Sequence, residues 1–329
     1  MRDIPIARLL QPGADRLRPT WAQAGPGRIA AALAVAKQRD PGGWYVTAAS
    51  SDVRAGVSTT RVLDGREVVL WRGADGELHA GPGACPHLGA LLDECPVTEG
   101  TLRCRWHGLA LPSRAEPGWT PLRAYDDGVL CWVQLPTPGE TRSVAPALPP
   151  RPPLARSIAA VIEVDGTCEP DDVIANRLDP WHGSWLHPYA FSHLTVDDDA
   201  SDDSRLVVDV AFRLGTRFAV PVRAEFSCPD ARTIVMRIVS GEGEGSVVET
   251  HATPLGPDER GRPRTRMTEA TIAHSARDGF RVARAVAPLI RPAMRRTARR
   301  LWVDDLMYAE RRYELRARER RAPRAVAGE

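Results

Sequence analysis

The feature that most constrains this sequence is a pair of short segments, CPHLG at Cys85–Gly89 and CRWHG at Cys104–Gly108. Each carries one cysteine, one histidine and a closing glycine, and together they read C-x-H-x16-C-x2-H. Two thiolates and two imidazoles on two loops offer four ligands, so the chain must fold around whatever they hold. Zinc accepts Cys2His2 sets and stays open on donor chemistry alone. Zinc fingers, however, group the cysteines in one pair and the histidines in the other. One of each per loop suits a 2Fe-2S cluster with both cysteines on one iron and both histidines on the other. Cys85, His87, Cys104 and His107 are therefore the candidate cluster ligands, and each closing glycine is expected to let backbone approach closely. Cys95, Cys131, Cys168 and Cys228 lack ligand spacing and read as buried thiols.

The pattern around these loops is β. Trp44–Ala48, Arg61–Leu63, Glu67–Arg72, Leu78–Ala80 and Val129–Gln134 are short runs of β-formers. Asp64-Gly65 and Asp75-Gly76 between them are hairpin signals, so a small all-β domain is expected over residues 44–136. An arm, residues 1–43, precedes it, with one helix expected over Arg28–Gln38. Residues 137–156 are proline-dense and read as an extended linker. Residues 157–329 form a second unit. It opens with a strand at Ser157–Val164 and a helix-prone stretch at Asp171–Trp185. Antiparallel strands follow over Arg205–Leu214, Arg217–Ser227, Arg232–Val239, Ser246–Thr253 and Arg264–Ile272, and the chain is helical beyond Ser275. The fold class is α+β, an N-terminal all-β domain followed by an antiparallel-sheet domain with helices at its two sequence ends.

A second constellation lies in NRLDPWHGSWLH, which gives N-x2-D-x2-H-x4-H across Asn176, Asp179, His182 and His187. On a helix Asp179 and His182 share a face, and a break or π-turn is needed to bring His187 round. Two neutral imidazoles with one carboxylate are the facial triad of mononuclear Fe(II) sites, which leave positions open for dioxygen and substrate.

The first constellation resembles the Rieske domain in the version carried by Rieske non-haem iron oxygenases, and the second is similar to the mononuclear iron motif of the same family. The resemblance spans about residues 40–320 and implies a helix-grip-like catalytic domain. Carried over, His182 and His187 are iron ligands and Asp179 links the two metal sites. The third ligand is expected near the C-terminus. There Val303-Asp304-Asp305-Leu306-Met307-Tyr308-Ala309-Glu310 resembles the family's acidic pair followed five residues later by glutamate. That register selects Asp305, with Asp304 as runner-up. Leu88 and Leu109 depart from the family's usual arginine and tryptophan. Ala90 and Trp106 stand where respiratory Rieske proteins carry disulfide cysteines. The implied activity is hydroxylation or oxidative demethylation of a bulky, largely apolar small molecule with O2, as in the shorter homotrimeric members. Electrons would come from an NAD(P)H-dependent reductase, with or without a ferredoxin, since no GxGxxG loop is present. The rival readings are a Rieske electron carrier with a partner-binding C-terminal domain, and a zinc-binding interaction module.

Composition narrows the remaining classes. Lys+Arg 44 against Asp+Glu 42 gives a net charge of +2, too balanced for a nucleic-acid or membrane footprint over the whole chain. No signal peptide or membrane-length apolar run is visible, so a cytoplasmic protein is expected. His79, His193, His251 and His274 read as surface or core residues. Trp185, Phe191, Phe212, Phe218 and Met236 are candidate cavity walls that would serve equally as core. The arginines of the last helix read as solvated faces paired with Glu310, Glu314 and Glu319.

Overall fold

The computed structural model describes residues 7–8 and 24–321. Residues 1–6 and 9–23 of the expected N-terminal arm lie outside them. A two-residue strand, β1 (Ala7–Arg8), and a helix, α1 (Pro26–Lys37), precede the all-β unit. Pro26 opens α1 because proline's fixed φ suits a first helical turn. The all-β unit holds β2 (Trp44–Ala49), β3 (Thr59–Leu63), β4 (Arg66–Arg72), β5 (Leu78–Pro82), β6 (Val97–Thr98), β7 (Thr101–Arg103), β8 (Ala110–Leu111), β9 (Arg123–Asp126) and β10 (Leu130–Gln134). They pair as three small antiparallel sheets, β2-β10-β9, β3-β4-β5 and β6-β7-β8. The Asp64-Gly65 turn closes the β3–β4 hairpin, with both residues in the left-handed region.

The second unit is built on one large antiparallel sheet. Its elements are β11 (Ser157–Gly166), α2 (Pro170–Arg177), α3 (His182–Leu186), β12 (Phe191–Val196), β13 (Arg205–Leu214), β14 (Phe218–Asp230), β15 (Thr233–Gly241), β16 (Val247–Pro257), β17 (Pro263–His274), α4 (Gly279–Ala285) and α5 (Ala287–Arg321). Strand order is β11-β17-β16-β15-β14-β13-β12, with β1 joining β14. The expected single helix-prone stretch at Asp171–Trp185 is two helices instead. Asp179 precedes Pro180, and a residue before proline is disfavoured in helical backbone, so the chain turns there. Strand β12 was not anticipated from its mixed sequence.

Alternation along the strands explains how both sheet faces are buried. Ile234, Met236, Ile238 and Met267 face the helices and join Trp302, Ala309 and Tyr313 of α5 in one core. Val235, Val247, Ala270 and Ile272 point the other way and pack against Trp44, Val46, Leu130 and Trp132 of the all-β unit. The sheet is thus the shared wall between the two halves. Residues 137–156 do not run free between them. Arg123 donates to the carbonyls of Ser143 and Val144, and Glu140 pairs with Arg232. Arg151, nearly buried, reaches both Asp127 and Glu249.

Candidate functional site

The two Cys-His loops are the same turn built twice. Cys85 N–H donates to Ala90 O and Gly89 N–H to Cys85 O; Cys104 N–H donates to Leu109 O and Gly108 N–H to Cys104 O. Gly89 and Gly108 have φ of 73° and 70°, where a side chain is strained. The expected close backbone approach is absent: a Cβ at either glycine would meet nothing within 4 Å. Both cysteines are buried above Trp71, Trp119 and Leu102. Burial, together with the neighbouring Cys104 thiol, pushes Cys85 up. The histidines stand on the outer side, both exposed, with ring centroids 4.8 Å apart. Two buried thiols opposed to two outward imidazoles fit a cluster with sulfur ligation on its inner iron and nitrogen ligation on its outer one. Leu88 and Trp106 flank the histidines and are 64% and 59% exposed.

The second constellation forms on three short pieces of chain. Asp179 lies in the bend between α2 and α3, and His182 is the first residue of α3. His187 leaves that helix with φ −117° and ψ 53°, which is the break needed to turn it back toward His182. The rings of His182 and His187 are 5.5 Å apart. Asp305 reaches them from α5, where Trp302, Leu306, Ala309 and Tyr313 form the inward stripe at helical spacing. A carboxylate inside an apolar stripe needs partners. Asp305 Oδ1 lies 2.8 Å from His187 Nε2 and 3.2 Å from His182 Nε2, and Asn176 Nδ2 donates to it at 3.3 Å. Oδ2 is buried and without a hydrogen bond. The ligand atoms of the three residues all lie within 4.8 Å of one another. Burial would raise the Asp305 carboxyl, but the hydrogen bonds and charges of the two histidines outweigh it and hold it far below the usual range.

Residues behind this trio fix its geometry. Tyr189 O–H donates to Asp304 Oδ2 at 2.6 Å and sits 3.3 Å from His187 Nδ1, with the Arg300 guanidinium over its ring. Asp304 thus lies one layer behind His187, on the Nδ1 side. Burial raises the Asp179 carboxyl, against the opposing influence of His182 and Tyr308 beside it. Asp179 Oδ2 is 3.9 Å from His182 Nδ1, too long for a hydrogen bond, and both Asp179 Oδ1 and His182 Nδ1 are buried without partners. The trio opens onto a cavity of about 730 Å³ whose walls include Phe191, Leu194, Val210, Phe212, Phe226 and Met236. Of the expected wall residues, Trp185 and Phe218 do not line it and are exposed on the surface.

Known proteins match in the same two halves. The Rieske [2Fe-2S] domain family matches residues 43–125, and the family described as "Domain of unknown function (DUF5914)" matches residues 137–320, more than half of the chain. The chain belongs to the DUF5914 family. Residues 43–125 are a Rieske [2Fe-2S] domain, and the DUF5914 segment carries the His182, His187 and Asp305 group. The vanillate O-demethylase oxygenase subunit of Pseudomonas sp. (strain HR199 / DSM 7063) is 31% identical over 117 residues, about a third (32%) of each protein. Dicamba monooxygenase bound to dicamba superposes with TM-score 0.60 at 17% identity, covering 87% of this chain and 92% of that one. The terminal oxygenase of carbazole 1,9a-dioxygenase from Novosphingobium sp. KA1 gives 0.53 at 15% identity, covering 91% and 90%. The overall α+β fold, a Rieske domain followed by an antiparallel-sheet domain, is that of the Rieske oxygenases. No helix among the described residues is long and apolar enough to cross a membrane.

Other expected roles resolve locally. The remaining four cysteines are buried free thiols. His251 is buried between Thr233 and Glu249, and His274 bonds the Arg156 carbonyl. The arginines of α5 do pair with Glu314, but Arg312, Arg316 and Arg320 reach Asp172 and Glu169 at the start of α2. Asn176, Tyr189, Tyr308 and Glu269 received no role from the sequence. Asn176 and Tyr308 stood in the quoted motifs, and the other two show themselves only once tertiary neighbours are known.

Proposed function

We propose that this chain is the oxygenase component of a Rieske non-haem iron system. In this reading it uses O2 and externally supplied electrons to hydroxylate or oxidatively demethylate a bulky, largely apolar small molecule. The observation that carries the proposal is a buried two-histidine, one-carboxylate group opening onto an apolar cavity, in a chain that also holds a Rieske domain. Cys85, His87, Cys104 and His107 would hold the 2Fe-2S cluster, and His182, His187 and Asp305 would hold Fe(II). The donor set suits Fe(II), and the unpartnered Oδ2 of Asp305 is the buried oxygen that a cation would satisfy. When bound, the cluster supplies single electrons and the mononuclear iron supplies the site of dioxygen activation.

The chain's own groups do the positioning. The Nε2 atoms of both histidines face Asp305, so their Nδ1 atoms are left for the layer behind. Tyr189 and Asp304 stand at Nδ1 of His187, and Asp179 stands nearest Nδ1 of His182. At His187 such a partner, the Tyr189 hydroxyl, fixes tautomer and ring orientation. Asp179 is the residue we assign to link the two metal sites. The wall of Phe191, Phe212 and Met236 excludes water and holds apolar carbon toward the trio. The exposed apolar rim of Leu88 and Trp106 around the cluster histidines fits burial against a second copy, as in a homotrimer, or against an electron donor. The solved complex of the carbazole 1,9a-dioxygenase oxygenase with a ferredoxin supports a ferredoxin, fed by an NAD(P)H-dependent reductase, as that donor. The test is His182→Ala in anaerobically reconstituted protein with a surrogate reductase and ferredoxin. Red-brown colour should persist while the mononuclear iron and oxygen consumption with substrate are lost. Undiminished turnover would rule out the assignment.

A further inference from the structure

One buried acid in the cavity is not explained by metal binding. Glu269, on β17, lines the cavity and is almost completely buried. Its Oε2 accepts a hydrogen bond from Trp302 Nε1 at 2.6 Å, and Arg177 Nη2 stands 3.8 Å from the same oxygen. Arg177 also lies over the Trp302 ring, 5.6 Å from its centroid. Both structural duties therefore fall on one oxygen. Oε1 has no hydrogen-bond partner among the described residues, so its acceptor capacity is left to whatever fills the cavity. Trp302 and Asp305 are three residues apart on one face of α5, which ties Glu269 to the turn that carries the metal-group carboxylate.

We propose that Glu269 is the polar anchor of this cavity and selects ligands that bring a hydroxyl or amine donor on an otherwise apolar skeleton. The proposal rests on the oxygenase reading only in calling that ligand the substrate. An apolar molecule filling the cavity would strand Oε1 away from water, whereas a donor group satisfies it, and sites of this kind discriminate strongly against analogues lacking the donor. The cavity's own charges point the same way. Of the four arginines that line it, Arg296 and Arg300 are solvent-exposed, where their pull on an anion is screened, Arg213 is half-buried, and Arg177 already stands at Glu269 Oε2. Outside the metal group and its neighbour Asp179, the buried acid is Glu269, and when ionised it repels a carboxylate seated inside. Burial pushes Glu269 upward, and in either protonation state it retains an acceptor oxygen.

The test is calorimetric binding to the iron-loaded full chain without reductant, using biphenyl, 4-phenylphenol and biphenyl-4-carboxylate as probes. The wild type should bind 4-phenylphenol about tenfold or more tighter than biphenyl and biphenyl-4-carboxylate no tighter than biphenyl. In Glu269→Leu the phenol preference should collapse to within about twofold. Glu269→Gln keeps its single amide oxygen for Trp302 and turns its NH2 to the cavity, exchanging the cavity-side acceptor for a donor. Its affinity for the carboxylate should rise about tenfold or more. Equal wild-type affinity for phenol and biphenyl overturns the proposal. So does a phenol preference that survives in Glu269→Leu, or an unchanged carboxylate affinity in Glu269→Gln. Since binding is read without turnover, these outcomes are separate from loss of the oxygenase reading, which the His182→Ala protein decides.

Discussion

Replacing Arg151 by methionine removes the one cation that serves two buried carboxylates across the wall between the halves. Its Nε and Nη2 grip Glu249 at 2.5 and 2.6 Å, and Nη1 reaches Asp127 at 2.7 Å. The side chains of Asp127 and Glu249 are 1% and 0% exposed. Breaking a buried pair costs about 3–5 kcal/mol because the remaining charge is stranded. Asp127 keeps three donors, Trp132 Nε1 and the amides of Val129 and Leu130, so most of the cost falls on Glu249. The expected loss is about 4 kcal/mol, or a melting midpoint lower by about 8 °C for a chain of this size. The pH dependence should also change sign. In the wild type, burial would raise both carboxyls, but Arg151 outweighs it and both are lowered. Their stabilisation is present above the ordinary carboxylate range and is lost as pH falls through the lowered values. Without Arg151, burial dominates and the folded state binds protons more tightly than the unfolded state. Stability then falls as pH rises, so the variant should become more stable between pH 7 and 5. Urea titrations at pH 5, 6 and 7 read the slope. A variant whose stability matches the wild type, or changes with pH in parallel with it, would refute this account of the interface.

Three further outcomes follow from individual contacts. Leu88→Arg places a positive charge beside the cluster histidines and should raise the cluster potential on the order of tens of mV, read by voltammetry; no rise would show that the position is electrostatically silent. Tyr189→Phe removes the hydroxyl between His187 and Asp304, and iron affinity at the trio should fall about tenfold with the melting curve nearly unchanged. Gly108→Ala forces a side chain into backbone of φ 70° and should cost about 1–2 kcal/mol in thermal unfolding. Space is available at that site, so a larger loss would point to a steric clash instead.

What could be read from the chain depended on how local the signal was. The Cys-His loops are short contiguous turns, so residue order alone carried their pairing. Strand alternation was visible for β13 through β17, though not which face meets the helices and which meets the Rieske domain. The bend at Asp179-Pro180 had a local signal in the proline, yet the apolar periodicity around it favours one continuous helix. Asp305 was reachable only through the family resemblance, whose acidic pair followed five residues later by glutamate sets the register. Glu269 was not, since its neighbours Arg177 and Trp302 lie far away in sequence. The α5 arginines likewise find their acids on α2, which spacing within one helix cannot anticipate.

The account stands on two different iron centres in one chain. Anaerobically reconstituted protein analysed for iron, zinc and acid-labile sulfide should give about three irons and two sulfides per chain, and His182→Ala about two irons with the sulfide unchanged. Zinc in place of iron, or an iron-to-sulfide ratio of one in the wild type, would contradict it.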